Sequence, residues 1–216
     1  PEEINRIVTD SVSDLLLVSE PSGVANLRNE GHSETAIRLV GNIMIDSLLR
    51  SMPAASSRNS FSRYGLAPGK YALLTLHRPS NVDSPDTLRS LWTCFNEMSR
   101  KVPIIFPAHP RTSQKLRELN LLTERASEFH VTDPVDYMDV LSLQKNALFV
   151  MTDSGGIQEE TSVLGIPCLT LRENTERPVT VSAGTSTVVG KSTVEIMKYA
   201  EDILAGGYKK GSQIPL

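Results

Sequence analysis

The 216 residues are 39% hydrophobic and 22% charged, the balance of an ordinary globular chain with room for one large domain or two small ones. Against 25 Asp and Glu stand 22 Lys and Arg, and a formal net charge of −3 argues against a nucleic-acid surface as the main task. No apolar run is long enough to cross a bilayer, PEEINRIVTD is no signal peptide, and Cys94 and Cys168 lack metal-ligand spacing. The expectation is a cytoplasmic protein with two reduced core thiols, no metal, no cofactor and no membrane or nucleic-acid partner.

In chain order, Pro1-Glu2-Glu3 reads as a first helical turn, because proline suits that position and two acids favour the positive end of the helix dipole. Residues 15–18, Leu-Leu-Leu-Val, form a strand-like run. Ser22 can cap a short helix to about Glu30, stopped by Gly31. A second strand is expected at 37–40, ending at Gly41-Asn42, and a helix over 43–50. The small, polar stretch 51–60, SMPAASSRNS, reads as a linker or surface loop. The pattern then becomes regular. Apolar runs at 71–76, 102–106, 129–131, 147–151, 167–171 and 187–189 alternate with helical periodicity at 87–100, 111–119, 137–144, 158–164 and 193–204. Such alternation predicts an α/β domain with a parallel sheet, and in such sheets ligands bind beyond the carboxyl ends of the strands.

One strand end reads Val150-Met151-Thr152-Asp153-Ser154-Gly155-Gly156-Ile157-Gln158-Glu159-Glu160. Asp-Ser-Gly-Gly resembles the nucleophile segment of chymotrypsin-like proteases, but those are antiparallel β proteins. The strand–turn–helix elbow of α/β hydrolases fails too, because position 152 is Thr where Gly-x-Ser-x-Gly needs glycine. Ser-Gly-Gly opening a helix after a strand is better suited to cradling an anion such as a diphosphate on free N–H groups. The alternative is a plain cap by Ser154 or Asp153. Glu160 shares the stripe of Ile157 and Leu164 on the sheet side, where it can accept from two ribose hydroxyls, whereas Glu159 is expected to point away. Otherwise Glu160 is only an acid favoured near a helix N-terminus. Arg177, in the polar loop Asn174-Thr175-Glu176-Arg177-Pro178, can fork onto phosphate oxygens or pair with Glu176 or Glu173. His77, at a strand end beside Arg78, is a candidate for leaving-group chemistry or a structural histidine.

Together these segments resemble the UDP-N-acetylglucosamine 2-epimerase family, of the bacterial non-hydrolysing type. The resemblance is carried by Val40-Gly41-Asn42-Ile43, Leu76-His77-Arg78-Pro79-Ser80-Asn81-Val82-Asp83, Ala108-His109-Pro110-Arg111, Thr152 through Glu160, Leu164-Gly165-Ile166-Pro167 and Thr175-Glu176-Arg177-Pro178. It implies a GT-B-like fold of two Rossmann-like domains: here a remnant of the first (1–42), a hinge helix and linker (43–68) and the UDP-binding domain (69–216). It implies that Ser154, Gly155 and Gly156 hold the diphosphate and Glu160 the ribose, and that Arg177 lies at the UDP site. The 133–137 segment, with Val135, and Val140 would meet the nucleotide. His77 would be catalytic, and Arg78 and His109 would line the cleft where some bacterial members bind a second UDP-N-acetylglucosamine as activator. Many members carry Arg-Glu where this chain has Pro79-Ser80. The implied reaction converts UDP-GlcNAc to UDP-ManNAc by elimination and re-addition of UDP, in a cytoplasmic homodimer serving cell-envelope polysaccharide synthesis. The proposed acid and base lie in the first domain, outside these residues, so the expectation is a fragment that binds UDP without turnover. A GT-B glycosyltransferase, a hydrolysing epimerase and a non-catalytic nucleotide-sugar-binding module are the alternatives.

Overall fold

The computed structural model describes residues 2–211. Pro1, part of the expected first turn, lies outside them. The described residues divide into two compact units, one ending at residue 48 and the other beginning at residue 49.

In the first unit, helix α1 (Glu2–Ser11) carries Arg6, which pairs with Glu3 and Asp10 on its own helix and with Glu30 beyond it, each at 2.7 Å. Strands β1 (Leu16–Val18) and β2 (Ile37–Leu39) pair in parallel, Leu16 opposite Ile37. Their crossover is α2 (Pro21–Asn29), which packs Leu27 and Val24 onto Leu16, Val18 and Ile37. Its N-cap is Glu20 rather than Ser22. Pro21 decides this, because its fixed φ fits the first helical position and its missing N–H costs nothing there.

Helix α3 (Ile43–Arg58) runs through most of the stretch expected to be a linker. Small polar residues have weak helix propensity, but tertiary contacts override it. Ala55 is fully buried. The Ser56 and Ser57 hydroxyls donate back to the Met52 and Ala54 carbonyls, and Lys145 donates to Ser56 Oγ at 2.8 Å. At the helix end Arg58 meets Asp136 at 2.6 Å and Asp139 at 3.1 Å. A single 3₁₀ turn, Ser60–Tyr64, follows.

The second unit holds six parallel strands: β3 (Ala72–Thr75), β4 (Ile104–Pro107), β5 (Phe129–Thr132), β6 (Phe149–Thr152), β7 (Cys168–Thr170) and β8 (Ser186–Val188). The expected apolar runs all became strands, with ends displaced by a few residues at most. Helices α5 (Pro85–Met98), α6 (Pro110–Glu118), α7 (Tyr137–Lys145), α8 (Gly155–Leu164) and α10 (Thr193–Leu204) also stand where periodicity placed them. Two short helices were not expected, α4 (Pro79–Val82) and α9 (Pro178–Ser182). Each begins with a proline directly after an arginine, Arg78 and Arg177, and proline at the first helical position was the available signal.

Alternate residues of β3 face opposite layers, as a strand requires. Ala72 and Leu74 join the larger core with Leu91 and Phe95 of α5 and Ile196 of α10. On the other side Leu73 joins Tyr71, Ile105, Leu143 and Val150. Burial on both faces explains why the strands read as unbroken apolar runs. Both cysteines are buried and free, and burial pushes the Cys94 thiol up to about 12.

Strand order is β5-β4-β3-β6-β7-β8. From β3 the chain first builds outward through β4 and β5, then returns to place β6 against β3 and builds the other way. The order therefore reverses between β3 and β6, the switch point where open α/β sheets leave a ligand crevice at the carboxyl ends. Thr75 and Thr152 lie side by side there, with hydroxyls 2.6 Å apart.

Candidate functional site

His77 follows β3 and Ser154 follows β6, so the two flank the switch point. Between them Asp153 is fully buried. Its carboxylate accepts from the His77 N–H at 3.0 Å, the Arg78 N–H at 2.8 Å and Asn81 Nδ2 at 3.0 Å, and lies 2.9 Å from His77 Nδ1. Burial pushes this carboxyl up, but the hydrogen bonds from His77 and Arg78 outweigh it and hold the group below its ordinary value. Asn81 also donates to the Leu171 carbonyl at 2.9 Å, tying the ends of β3, β6 and β7 together. The sequence pointed to Asp153 only as a possible helix cap. Its real partners are far away in the chain, so no local pattern announces them.

Neither Ser154 nor Asp153 caps α8. Ser154 occupies the N-cap position without a side-chain cap bond, and its N–H donates to Thr152 Oγ1 at 2.9 Å. The first N–H groups of the helix, with the positive end of its dipole, are therefore left open. Gly155 and Gly156 sit at this opening. Neither has a positive φ, and a Cβ added at either would meet no atom within 4 Å. Neither backbone conformation nor packing within the chain thus demands glycine here. What the two glycines provide is close approach from outside to bare N–H groups.

Five consecutive polar residues of α8, Gln158 to Ser162, are buried, and buried polar groups need partners. Glu160 Oε1 accepts from the Tyr137 hydroxyl at 2.9 Å, and burial pushes the Glu160 carboxyl up. Glu159 does not point away as expected. It is 2% exposed and its Oε1 pairs with Arg177 Nε at 2.8 Å. The heptad-like stripe misled because the 172–177 loop covers the face that would otherwise meet water. Thr175 Oγ1 donates to Gln158 Oε1 at 2.7 Å and accepts from the Arg177 N–H at 3.0 Å, so α8 holds this loop and sets the root of Arg177. Neither expected partner of Arg177 is used by side chain. Glu176 pairs instead with Arg172 at 2.7 Å.

The Glu176 carboxyl is held down by that Arg172 bond and by the charges of Arg172, Arg78 and Arg177. The positive charges of Arg172, Arg78 and Arg177 thus all reach this one acid, while Arg172 pairs with it and Arg177 with Glu159. His109 is the N-cap of α6, its Nδ1 accepting from the Arg111 N–H at 3.3 Å, and its ring centre lies 6.4 Å from that of His77. Val135 is half-buried at the margin of the second core cluster, as is Ile157 of α8. Val140 is half-buried on α7 and has no polar side-chain atom to offer a ligand. Among the described residues no group of His, Cys, Asp and Glu could hold a metal ion, and no helix is long and apolar enough to cross a membrane.

The family model described as UDP-N-acetylglucosamine 2-epimerase matches residues 1–214. The chain is 38% identical over 211 residues to the UDP-N-acetylglucosamine 2-epimerase of Methanococcus maripaludis, covering 94% of this chain and 58% of that protein. It is 37% identical over 218 residues to the UDP-2,3-diacetamido-2,3-dideoxy-D-glucuronate 2-epimerase of Pseudomonas aeruginosa, covering 99% and 59%. The Methanocaldococcus jannaschii UDP-GlcNAc 2-epimerase, solved in complex with UDP-GlcNAc and UDP, superposes with a TM-score of 0.83 at 37% identity, covering 99% of this chain and 61% of that one. The chain thus spans somewhat over half the length of the relatives it matches, and its class is the α/β, GT-B-like fold expected from the sequence. A parallel sheet with an open Ser-Gly-Gly helix start at its switch point, and a sequence match along nearly the whole chain, place this protein in the UDP-N-acetylglucosamine 2-epimerase family.

Proposed function

We propose that this chain supplies the UDP-binding half of a UDP-N-acetylglucosamine 2-epimerase, an isomerase that interconverts UDP-GlcNAc and UDP-ManNAc. The observation that carries the reading is the start of α8: an uncapped helix N-terminus, opened by two glycines that the chain's own structure does not require. Ser154 and the N–H groups of Gly155 and Gly156 take the diphosphate, Glu160 takes the ribose hydroxyls, and Arg177 neutralises phosphate charge. Val135 and Val140 border the base. Arg78 and His109 line the crevice near His77. The UDP-GlcNAc and UDP in the solved M. jannaschii relative support this choice of ligand.

The C2 hydrogen of the sugar has no adjacent carbonyl to acidify it, so inversion proceeds by elimination: C2 gives up its proton as the bond from C1 to the phosphate oxygen breaks, leaving a C1–C2 double bond, and UDP then re-bonds at C1 while a proton returns to the opposite face of C2. Negative charge develops on the departing phosphate, and donors already aimed at that charge lower the barrier. Ser154, the glycine N–H groups and Arg177 are this chain's contribution, joined by His77 when its ring is protonated. The base that removes the C2 proton is not among them, so the chain alone binds UDP and turns over nothing. Residues 1–42 belong in this reading to a first Rossmann-like domain, residues 43–68 to the hinge region, and residues 69–216 to the UDP-binding domain. The complete protein is a cytoplasmic homodimer that feeds envelope polysaccharide synthesis. The P. aeruginosa relative, named for a diacetamido uronate, favours a second substrate that shares the UDP moiety.

Calorimetric titration of UDP tests the site. Saturable binding is expected, weakened about 10-fold by Ser154→Ala and about 10- to 100-fold by Glu160→Ala, the range for hydrogen bonds to charged groups. No binding by a well-folded sample, or binding indifferent to both changes, would overturn the reading.

A further inference from the structure

His77 and Asp153 form a dyad whose chemistry follows from how the carboxylate is occupied. Asp153 Oδ2 accepts from the Arg78 N–H at 2.8 Å, the His77 N–H at 3.0 Å and Asn81 Nδ2 at 3.0 Å. Two of these donors are backbone groups that can never accept. The third cannot turn round without setting its oxygen against the Leu171 carbonyl, which Asn81 Nδ2 meets at 2.9 Å. That oxygen is therefore saturated and locked. Oδ1 takes a second, longer share of the His77 N–H at 3.2 Å and lies 2.9 Å from His77 Nδ1. A nitrogen at this distance from a fully buried carboxylate oxygen must carry a proton, because two lone pairs would otherwise face each other.

We propose that Asp153 is a positioning residue that fixes neutral His77 as the Nδ1–H tautomer and presents Nε2 at the switch-point crevice. Nε2 is then an acceptor while the ring is neutral and becomes a donor only when the ring is protonated. The proton on His77 is thereby tied to the charge in the crevice. Toward a diphosphate Nε2 can donate only as part of an imidazolium, which would lie between the buried Asp153 carboxylate and the phosphate. The role of Nε2 toward phosphate rests on the nucleotide reading above. The tautomer does not.

The experiment is nitrogen-15 NMR of the imidazole rings of the intact chain, with His77→Gln identifying the His77 signals among four histidines. At about pH 8.5, where an ordinary histidine is neutral, wild-type protein without ligand is expected to show a protonated Nδ1 and an unprotonated Nε2. An Nε2–H tautomer would overturn the proposal. Asp153→Asn is expected to reverse the tautomer. The amide oxygen must stay with the Arg78 N–H, which leaves the NH₂ group facing Nδ1 and forces the proton to Nε2. A folded variant that kept Nδ1–H would also overturn the proposal, and a variant that failed to fold would leave the wild-type spectrum to decide. Adding UDP, with calorimetry in parallel, is then expected to convert Nε2 to its protonated signature. Bound UDP with Nε2 unmoved would remove its phosphate role. Absence of binding beside an intact Nδ1–H tautomer would overturn the nucleotide reading while supporting the dyad.

Discussion

Replacing Gly155 and Gly156 together by alanine is expected to stabilise the protein while weakening UDP binding about 100-fold or more. The two effects have separate causes. Glycine costs up to about 1 kcal/mol relative to alanine within a helix, because more backbone freedom is lost on folding. Both positions lie in the first turn of α8, neither has a positive φ, and an added Cβ meets nothing within 4 Å. Alanine therefore fits without strain, and a gain of about 1 kcal/mol for the pair is expected in the urea midpoint. For a diphosphate the same methyl groups stand in its path. Holding the phosphate even about 1 Å further from the N–H groups sacrifices two or more charge-assisted hydrogen bonds, each worth about 1.5–3 kcal/mol. A gain in stability coupled to a loss in affinity is the signature of a position kept for ligand approach. Unchanged UDP affinity in the stabilised double variant would show that the glycines have no bearing on the nucleotide.

The second large effect is expected at Asp139, which fastens the turn after α3 to α7. This buried carboxylate accepts from the Ser60 hydroxyl at 2.6 Å, pairs with Arg63 at 2.8 Å and lies 3.1 Å from Arg58. Burial alone would push its carboxyl up, but Arg63, Ser60 and Arg58 together hold it at about 2. A folded-state value below the ordinary 3.8 means that the unfolded chain binds the proton more readily. The stabilisation is thus fully present above about pH 4 and is lost as pH falls toward about 2. At about 1.4 kcal/mol per tenfold change in proton affinity it amounts to about 2 kcal/mol. Asp139→Ala also strands the buried Ser60 hydroxyl without its acceptor, so the total loss near neutral pH is about 2–4 kcal/mol. Urea midpoints of wild type and variant should differ most at about pH 5–7, and the gap should narrow by the charge-linked part, about 2 kcal/mol, as pH falls below about 3. A gap of constant size across that range would mean that Asp139 acts through shape and not through its charge.

The β strands of the second unit were legible because burial on both faces leaves unbroken apolar runs, a one-dimensional trace of a three-dimensional fact. The 158–164 periodicity likewise marked α8, and Ser154-Gly155-Gly156 at its head was legible as a cradle because strand, small residues and helix are contiguous in the chain. Residues 51–60 were not legible as helix. Their own propensity is weak, and the contacts that hold them, from Lys145 to Ser56 and from Arg58 to Asp136, join positions some eighty residues apart. Glu159 failed for a related reason: a helical stripe tells which side faces the sheet, but not whether a later loop closes over the other side.

The sequence by itself therefore determined the α/β alternation, the position of the strand ends, the anion-friendly helix start and, through the order of its motifs, the family. Only the tertiary structure decided that β6 returns to β3 and brings Asp153 against His77, that Tyr137 covers Glu160, and that Glu159 holds Arg177. The division is physical. Local motifs and periodicities act through backbone geometry over a few residues and leave a pattern in the string, whereas a hydrogen bond between side chains distant in the chain depends on how the strands are ordered, and no short stretch of sequence records that.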